Sequence, residues 1–559
     1  MTRPRTATAA TATTATGTVS TPTTVREAVV RFLRDTGMTT VFGNPGSTEL
    51  RMFRDWPDDF TYVLGLQESV AVGMAAGHAL GTRRAAFVSL HSAGGVGHAL
   101  GAVFNAFRDR VPLVIVAGQQ ARSLIQLRPF LGADEPAGFP RPYVKFARQP
   151  ERAEDVPAVL AEAYRVAMAP PRGPVFVSVP EDDWDRPAEP VAPREVRSAF
   201  TADPDALAAL AARLETCRRP ALVVGPGVDD EDALDRVRAL AERIRAGVWI
   251  SPLSGRSGFP ETHPLFQGFL PPIARRLSAR LAPYDVVVAL GAPVFTYHVA
   301  DGGPPLAPGT ELFHLDCDPG QAAWLPTGTS IVTTLRPALE RLTALLGEPG
   351  PDREPPPPRT APAPAPADGH AGHITPELFF DLLRDRLPRD RVLVEEAPSH
   401  RDALHARVPV ASGGGFLTTG SGALGWGLPL AVGRALADRR RVVCVVGDGS
   451  ALYSVQALWT AARHTAPVTY VLLDNGGYAA VSALGRRIGV APVPGTDITG
   501  IDFAALAESL GCPAARAEHA RELPAALDHA LGRGDDTGPF LLHLAVTGSA
   551  GTLYEPWAG

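Results

Sequence analysis

The chain lacks several features that mark membrane, secreted or nucleic-acid-binding proteins. It has no run of about 18 apolar residues, which a membrane-spanning helix requires. Its formal net charge of -6 at pH 7 gives no signature of polyanion binding. The 4 cysteines are scattered without a C-x-x-C spacing, which argues against a zinc site or a disulfide framework and favours buried thiols. We therefore expect a cytoplasmic protein with no membrane or nucleic-acid partner.

The composition indicates a globular protein of about three domains. Of the 559 residues, 45% are hydrophobic and 20% are charged, and a domain typically holds about 100–200 residues. A Pro/Ala-rich stretch at 347–370 predicts an extended linker, and Pro-rich residues near 187–198 predict a second boundary. The Thr/Ala-rich residues 1–24 lack the apolar core of a secretion signal and predict a disordered N-terminal extension. The expected domains are 25–188, 200–345 and 373–559.

Short runs rich in Val, Ile and Leu alternate with amphipathic helical stretches in each block. The clearest runs are TTVFG, AAFVSL, PLVIVAG and PVFVSV in the first block, PALVVG, DVVVAL and ELFHLD in the second, and RVLVEE, RVVCVVG, VTYVLLD and FLLHL in the third. Strands that are apolar on both faces are typical of parallel sheets covered by helices. The predicted fold is therefore α/β, with three domains that each contain a parallel sheet flanked by helices. Ligands of such sheets bind beyond the C-terminal ends of the strands.

The strongest motif is VVCVVGDGSALYSVQALWTAARHTAPVTYVLLDNGGY, which spans 442–478. Asp448 and Asn475 follow two predicted strands that we expect to be neighbours, so both side chains should emerge at one edge. With the backbone carbonyl of Gly477 they offer three oxygen ligands of the kind that Mg²⁺ prefers. The glycines and the helix start near Ser450 suit a diphosphate. Two ordinary turns between strand and helix are the alternative interpretation.

The GDG and NG pair, 27 residues from Asp448 to Asn475, resembles the thiamine diphosphate binding motif of the decarboxylase and acetohydroxyacid synthase superfamily. This resemblance implies thiamine diphosphate and Mg²⁺ as cofactors. It also implies that the three blocks are a pyrimidine-binding, a middle and a diphosphate-binding domain. In that superfamily a glutamate after an apolar strand hydrogen-bonds the aminopyrimidine ring, and Glu68 matches its position. A helix-capping acid would also explain Glu68.

Three further stretches resemble benzoylformate decarboxylase. They are VFGNPGSTEL, FVSLHSAGGVGHAL and VVVALGAPVFTYHVADG, which carry Ser47, His91 and His298. The resemblance implies that Ser47 engages the carboxylate of a 2-oxo acid and that both histidines relay protons, for which their unperturbed pKa of roughly 6.5 is suitable. A capping serine, a structural histidine and an exposed loop histidine are the ordinary alternatives.

The resemblance extends to the residues that would surround the cofactor. It implies that Leu424 in TTGSGALGWG props the cofactor into a bent form, although a leucine that packs a helix is the alternative. Pro398 stands where a threonine is expected. The full set of expected cofactor-binding residues is Pro45, Glu68, Pro398, Ser399, Gly422, Leu424, Gly449, Ser450, Tyr453, Tyr478 and Ala479.

The expected substrate pocket departs from that of benzoylformate decarboxylases, which is lined by aromatic rings. Thr418 and Leu484 stand where rings are expected, and Phe130 replaces a leucine. Lost aromatic pairs weaken stacking by roughly 0.5–1.5 kcal/mol each, so the substrate could be larger, aliphatic or more polar than benzoylformate. The expected pocket residues are Phe130, Leu131, Thr418, Ala480 and Leu484.

The resemblance thus implies a thiamine- and Mg²⁺-dependent decarboxylase that converts a 2-oxo acid to an aldehyde through an enamine. A second hypothesis is a carboligase that joins the enamine to another carbonyl compound. Its weaker variant resembles acetolactate synthase, on the strength of the Gly-Pro-Gly turn in VVGPGVDD. A nucleotide-binding or scaffold protein is the third. In this superfamily the first and third blocks meet across subunits, which implies a homodimer as the minimal active unit and a homotetramer as the family's usual assembly.

Overall fold

The computed structural model describes residues 23–348, 353–388, 391–411 and 413–547. Its strands form three sheets of six parallel strands, one after another along the chain, with helices against both faces. Alternate residues of a strand therefore enter different cores, as Phe87 and Val88 do in the first domain. This arrangement confirms the predicted fold class. Most of the predicted N-terminal extension, residues 1–22, lies outside the described residues.

The first sheet has the strand order β2-β1-β3-β4-β6-β5. Its strands are β1 (Thr40–Gly43), β2 (Thr61–Leu64), β3 (Ala86–Leu90), β4 (Leu113–Gln119), β5 (Ala147–Arg148) and β6 (Val175–Pro180). Its helices are α1 (Val25–Thr36), α2 (Glu68–Thr82), α3 (Ser92–Arg108), α4 (Arg122–Ile125) and α5 (Val156–Met168). Short 3₁₀ turns lie at Ser47–Glu49, Ala153–Asp155 and Glu181–Asp185.

The middle sheet has the order β12-β11-β10-β7-β8-β9. Its strands are β7 (Pro220–Val224), β8 (Gly247–Ile250), β9 (Phe266–Phe269), β10 (Val286–Leu290), β11 (Glu311–Asp316) and β12 (Thr329–Val332). Its helices are α6 (Pro204–Thr216), α7 (Pro226–Asp230), α8 (Leu234–Ile244), α9 (Ala274–Leu281), α10 (Pro319–Trp324) and α11 (Leu335–Leu345).

The third sheet has the order β14-β13-β15-β16-β18-β17. Its strands are β13 (Val392–Glu396), β14 (Phe416–Leu417), β15 (Val442–Gly447), β16 (Val468–Asp474), β17 (Ala514–Ala517) and β18 (Phe540–Ala545). Its helices are α12 (Pro376–Arg386), α13 (Arg401–Arg407), α14 (Gly427–Asp438), α15 (Asp448–Leu452), α16 (Ala457–Arg463), α17 (Ala479–Arg487), α18 (Phe503–Ser509) and α19 (Leu523–Leu531).

All the apolar runs singled out in the sequence form strands. The strands without a clear sequence signal are β5, β8, β9, β12, β14 and β17. Each of them has four residues or fewer and lies at a lateral edge of its sheet or beside one. Such short strands bury little apolar surface, so their sequences carry little periodicity. None of the helices within the described ranges is long and apolar enough to span a bilayer.

The first and third domains pack together through α2 and α14. A side-chain carbon at Gly77 would overlap the carbonyl oxygen of Leu430, and one at Gly433 would overlap the carbonyl oxygen of Met74. The two helices therefore approach backbone to backbone, which only glycine allows. Around this seam one hydrophobic core continues from the first domain into the third.

The Pro/Ala-rich linker has no regular secondary structure over 353–366. Its start is fastened by Arg353, which is buried and donates hydrogen bonds to the carbonyl oxygens of Leu214 (2.6 Å) and Cys217 (2.7 Å) in the middle domain. Arg359 donates to the carbonyl oxygen of His405 (3.0 Å) in the third domain. The described part of the linker thus lies against both domains that it joins.

Candidate active site

The three predicted metal ligands lie together at the C-terminal edge of the third sheet. Asp448 follows β15 and Asn475 follows β16, and these strands are paired neighbours. The N–H of Gly477 donates to Asp448 Oδ2 (2.9 Å) and to Asn475 Oδ1 (3.2 Å). The carbonyl oxygen of Gly477 accepts from Ala479 N (2.9 Å) and keeps one lone pair for another partner.

A further carboxyl, Asp474, lies beside Asp448, and the two form a hydrogen bond. Burial raises the pKa of Asp448 to about 6, and the Asp474 charge adds to this rise. Burial would raise the pKa of Asp474, but the hydrogen bonds from His543 (2.8 Å) and from the N–H of Gly476 (3.0 Å), together with the His543 charge and the contact with Asp448, lower it overall. Two adjacent acids with amide and carbonyl oxygens nearby suit a hard cation such as Mg²⁺. Among the described residues no three His, Cys, Asp or Glu side chains cluster as a metal site.

His400 orients Asn475. Its Nε2 lies 3.3 Å from Asn475 Nδ2. Burial lowers the pKa of His400 to about 4, so the neutral ring accepts a hydrogen bond from the amide nitrogen. The amide oxygen of Asn475 is thereby directed to the side of Gly477 and Asp448.

The expected diphosphate turn begins differently from the sequence prediction. Helix α15 starts at Asp448 itself and ends at Leu452, and α16 follows as a separate helix. Ser450 is buried within α15. Gly449 lies under the ring of Tyr478, whose Cε1 would be 2.5 Å from a side-chain carbon at that position. Tyr453 contacts Gly425 through its Cβ and backbone rather than its ring, and the Cβ would be 2.7 Å from a side-chain carbon at that position.

The turns that follow β13 and β14 complete this half of the site. Ser399 Oγ accepts from Ala480 N (3.1 Å), which joins the turn after β13 to the start of α17. Pro398 is half-buried in that turn. Gly422 and Gly425, at φ +81° and +90°, flank the half-buried Leu424. These left-handed positions let the chain turn sharply on both sides of the leucine.

Thr418, expected in the substrate pocket, is buried and forms hydrogen bonds with both members of an ion pair. Its Oγ1 donates to Glu395 Oε2 (2.8 Å) and accepts from Arg401 Nη2 (2.9 Å). Arg401 also pairs with Glu395 at 2.8 Å. Leu484 lies half-buried on α17, near its end. At Thr418 the expected substrate pocket therefore has a polar side chain where an aromatic ring was expected.

In the first domain, His91 lies at the C-terminal end of β3 and packs on Gly46, where any side chain would overlap its ring. Its Nδ1 lies 2.9 Å from Glu49 Oε2 and 3.2 Å from Thr48 Oγ1. Glu49 is buried and also accepts from the N–H of Gly118 (3.0 Å). The carboxylate therefore accepts a hydrogen bond from the Nδ1–H, which leaves Nε2 as the nitrogen that can exchange a proton.

Glu68 is the first residue of α2 but does not cap it. Gln67 is the cap, because its side chain accepts from Ser69 N (2.7 Å) and Val70 N (3.4 Å). The Glu68 side chain is 12% exposed, and its Oε2 lies 3.1 Å from His98 Nδ1. Its Oε1 would be 3.1 Å from a side-chain carbon at Gly95 on α3. The acid is therefore directed across α3 at the same edge as His91.

The remaining predicted residues are more exposed. Pro45 and Ser47 are exposed, and the cap of the turn at Ser47–Glu49 is Gly46 rather than the serine. Phe130 is 85% exposed, and Leu131 beside it has φ +63°. His298 is exposed in the loop after β10, with its N–H bonded to the carbonyl oxygen of Pro272 (2.8 Å).

Within one chain the two halves lie apart. The Glu68 carboxylate lies against Gly95 of α3. Asn105 on the same helix donates to the carbonyl oxygen of Ala423 (3.0 Å), next to Leu424. Ten residues of α-helix separate Gly95 from Asn105, which is about 15 Å along the axis. The predicted residues of the first and third domains thus form two separate groups, one at the edge of each of these two sheets.

Several polar residues of the site escaped the sequence prediction: Glu49, His98, Asn105, Glu396 and Asp474. Asp474 is the last residue of an apolar strand directly before Asn475, which is a usable signal. Glu396 also ends an apolar strand. Glu49, His98 and Asn105 lie on turns or helices among residues of every type, so only the fold reveals them.

The Gly-Pro-Gly turn of the middle domain has a packing role. A side-chain carbon at Gly225 would lie 2.6 Å from Ala292 Cβ, and one at Gly227 would lie 2.7 Å from the Cα of Gly291. The turn is thus packed against the loop that follows β10, and close packing explains both glycines.

Known protein families match the chain in both of the domains that carry these two groups of residues. Models of thiamine pyrophosphate enzymes match the chain in the N-terminal TPP binding domain (23–136), the central domain (207–342) and the C-terminal TPP binding domain (399–544). The chain is 42% identical to benzoylformate decarboxylase of Pseudomonas aeruginosa over 91% of this chain and 96% of that protein.

Two solved structures are similar over nearly the whole chain. One is the thiamine diphosphate-dependent 4-hydroxybenzoylformate decarboxylase of Rhodococcus jostii RHA1, with TM-score 0.90, 39% identity and coverage of 95% of this chain and 100% of that one. The other is benzoylformate decarboxylase of Polynucleobacter necessarius, with TM-score 0.91, 34% identity and coverage of 94% and 99%.

Proposed function

Since this chain belongs to the thiamine pyrophosphate enzyme family and is a thiamine diphosphate-dependent decarboxylase, we propose that it converts a benzoylformate-like 2-oxo acid into an aldehyde and carbon dioxide with the help of Mg²⁺. The observation that carries the Mg²⁺ assignment is the oxygen-rich turn of Asp448, Asn475 and Gly477, to which Asp474 adds a second carboxyl. A divalent cation held there would neutralise the charge of the two adjacent acids and attract a diphosphate.

Thiamine diphosphate, when bound, supplies a nucleophilic carbon and a cationic ring that accepts the electrons released as carbon dioxide leaves. Glu68 would hold the aminopyrimidine by a charge-assisted hydrogen bond, for which its largely buried carboxylate is suited. Leu424 would support the ring system from the third domain, and Ser399 and Gly449 would line its approach. The apolar residues of α2 around Glu68 keep water from that hydrogen bond.

His91 would move protons at the carbonyl-derived oxygen through Nε2. Glu49 fixes the tautomer by accepting from Nδ1 at 2.9 Å, the usual task of the third member in an acid–base chain. Ser47, exposed beside it, would hold the substrate carboxylate. His298, exposed after β10, would serve as a second proton donor from the middle domain.

The active site would be completed by a second copy of the chain. The aminopyrimidine and thiazolium rings of one cofactor are neighbours, yet Glu68 and the Leu424 turn of one chain lie about 15 Å apart along α3. Exposed apolar side chains flank both halves, among them Phe130 at 85% in the first domain and Tyr453 at 56% in the third. Such exposure is typical of surfaces that another subunit covers. A homodimer is thus the smallest active unit.

A mixing experiment tests this shared site. Chains with Glu68→Gln and chains with Asp448→Asn are each expected to be inactive, but a hybrid dimer regains one intact site. Random mixing should therefore restore about a quarter of the wild-type activity. No recovery, with hybrid dimers verified by mass, would show that each site lies within one chain.

The substrate proposal rests on the similarity to benzoylformate decarboxylases and on the polar wall at Thr418. A hydroxyl held by Glu395 and Arg401 stands at Thr418 in place of an aromatic ring, so we propose an aryl 2-oxo acid that carries a polar substituent. Cofactor-free protein should receive Mg²⁺ and thiamine diphosphate and then a panel of aryl, hydroxyaryl and aliphatic 2-oxo acids. Release of carbon dioxide and aldehyde supports the proposal. Absence of carbon dioxide across the panel would refute it, and a 2-hydroxy ketone as sole product would favour the carboligase.

A further inference from the structure

The segment 418–427, here called the leucine turn, connects β14 to α14 and carries Leu424 at its centre. The backbone is anchored immediately before and immediately after this leucine. The carbonyl oxygen of Ala423 accepts from Asn105 Nδ2 (3.0 Å), and the N–H of Gly425 donates to Glu396 Oε1 (2.8 Å). Both anchoring side chains are 1% exposed.

Asn105 belongs to α3 of the first domain but serves the third. Besides its bond to Ala423, its Oδ1 accepts from Thr419 Oγ1 (3.0 Å) and from Ser421 Oγ. Within the described part of the chain, the hydrogen bonds of this side chain therefore go to the leucine turn. A buried amide with several satisfied bonds is costly to displace, since each polar group left without a partner costs about 1–3 kcal/mol.

Asp109, the residue that caps the C-terminal end of α3, holds the same turn one helical turn beyond Asn105. Its Oδ1 accepts from Gly420 N (3.0 Å), and residues four apart share a helix face. A side-chain carbon at Gly420 would lie 2.7 Å from that oxygen, so the turn approaches α3 closely. The half of the leucine turn before Leu424 is thus held by one face of α3.

Glu396 holds the other half. Its carboxylate, at the end of β13, accepts from Gly425 N (2.8 Å), Trp426 N (3.2 Å) and Gly427 N (2.8 Å). These N–H groups lie at the start of α14 and in the two residues before it, where a carboxylate is favourable. The position of α14 and the end of the leucine turn are therefore set by one buried acid.

We infer that Asn105 and Glu396 are positioning residues that set where Leu424 stands against the cofactor. The inference rests on the proposed function, in which Leu424 supports the cofactor. Neither residue touches the reacting atoms; each acts through the backbone on one side of the leucine. Because a displacement of about 1 Å at a reacting centre can cost about 100-fold in rate, this double anchor controls turnover without contacting substrate.

The test compares Asn105→Ala in the wild-type chain and in a Leu424→Ala chain. In the wild-type chain we expect kcat to fall about 10- to 100-fold while KM for the 2-oxo acid changes little. In the Leu424→Ala chain the same substitution should change kcat less than about threefold, because the residue through which Asn105 acts is gone. Equal losses in both backgrounds would overturn the inference.

A matched control separates positioning from general stability. Thr460 is buried and donates from Oγ1 to the carbonyl oxygen of Leu64 (2.8 Å), so it also joins the third domain to the first but lies outside the leucine turn. Thr460→Val should lower the melting temperature about as much as Asn105→Ala and leave kcat unchanged. If the two variants lose kcat in proportion to their melting temperatures, the role is merely structural and the inference fails.

Amide hydrogen exchange of the cofactor-free protein reads the anchors without any activity. Glu396→Gln should speed exchange at 425–427, since the amide group of glutamine cannot accept from all three N–H groups, and Asn105→Ala should speed exchange at 420–423. Unchanged exchange in both would overturn the inference. A wild-type chain that releases no carbon dioxide from any 2-oxo acid would instead refute the proposed function. If Asn105→Ala does not fold, Ser421→Ala removes one bond of the same set and takes its place.

Discussion

The first and third domains have the same topology and different chemistry. Their strand orders, β2-β1-β3-β4-β6-β5 and β14-β13-β15-β16-β18-β17, are the same order written in two sets of numbers. Their equivalent helices α2 and α14 meet reciprocally: Gly77 faces the carbonyl of Leu430 and the N–H of Arg434, while Gly433 faces the carbonyl of Met74 and the N–H of His78. Each partner lies at the same offset from the facing glycine, so the pair has an approximate twofold relation.

Equivalent strand ends carry different groups in the two domains. After β3 stands His91, whose partner is the buried Glu49, and after the equivalent β15 stands Asp448, whose partners are Asn475 and Gly477. In the proposed function, one edge would move protons and the other would hold a cation. The fold therefore fixes where a ligand binds, and a few residues at the strand ends decide what chemistry occurs.

The largest expected effect is a loss of turnover on substitution at the edge of the first sheet. Glu68→Gln keeps the size of the side chain but removes its charge, so kcat should fall about 1000-fold, within the range that acid–base groups contribute. Affinity for thiamine diphosphate should change only a few-fold, because in the proposed site the third domain would hold the diphosphate. Single-turnover kinetics and a cofactor titration measure the two quantities.

His98→Ala is the matched control for Glu68→Gln. His98 contacts the Glu68 carboxylate at 3.1 Å, but its side chain is 66% exposed. Its removal should cost less than tenfold in kcat. Wild-type turnover in Glu68→Gln would show that Glu68 has no part in catalysis. The proposed difference in chemistry between the first and third domains would then lose its main support.

The second prediction concerns the twofold seam. Alanine at Gly77 or at Gly433 would overlap a backbone carbonyl of the facing helix. Overpacking of this kind costs about 1–3 kcal/mol, and we expect the upper end because backbone cannot rotate away. Both substitutions should lower the free energy of unfolding, measured by urea denaturation, by similar amounts. A large loss at one position with none at the other would show that the reciprocity is superficial.

The third prediction separates the edges by affinity. Asp448→Asn keeps the shape of the side chain and removes the negative charge from the cation site. Binding of thiamine diphosphate with Mg²⁺ should weaken about 100-fold. This is the upper end of the roughly 10- to 100-fold loss that follows when a group supporting a metal's ligands is removed. Excess cofactor should restore part of the turnover, unlike in Glu68→Gln. Calorimetric titration measures the affinity, and unchanged Mg²⁺ dependence would place the cation elsewhere.

The sequence predicted the fold class and the two strand-end motifs because both depend on local patterns. Long apolar strands and Asp-Gly or Asn-Gly turns are visible within a few residues, so β15, β16, Asp448 and Asn475 were found together. Glu49, Asn105 and Glu396 were not, since partners of each lie on other elements or in another domain; only Glu396, at the end of an apolar strand, has a local signal. Helix α15 was predicted to start later than it does, because the sequence cannot show that the turn at Asp448 is already helical.

The smallest expected effect tests whether the seam glycines are special to the contact between domains. Gly101 lies in α3, is exposed, and has no atom within 4 Å of where a side-chain carbon would stand. Alanine there should stabilise the protein by about 0.4–1 kcal/mol, because it reduces the freedom of the unfolded chain without creating a contact. The same substitution would then have opposite signs on two helices of one domain, which urea denaturation resolves when both variants are measured together. A destabilised Gly101→Ala would mean that glycine in these helices serves something other than the seam, and the reciprocal packing of α2 and α14 would lose its energetic support.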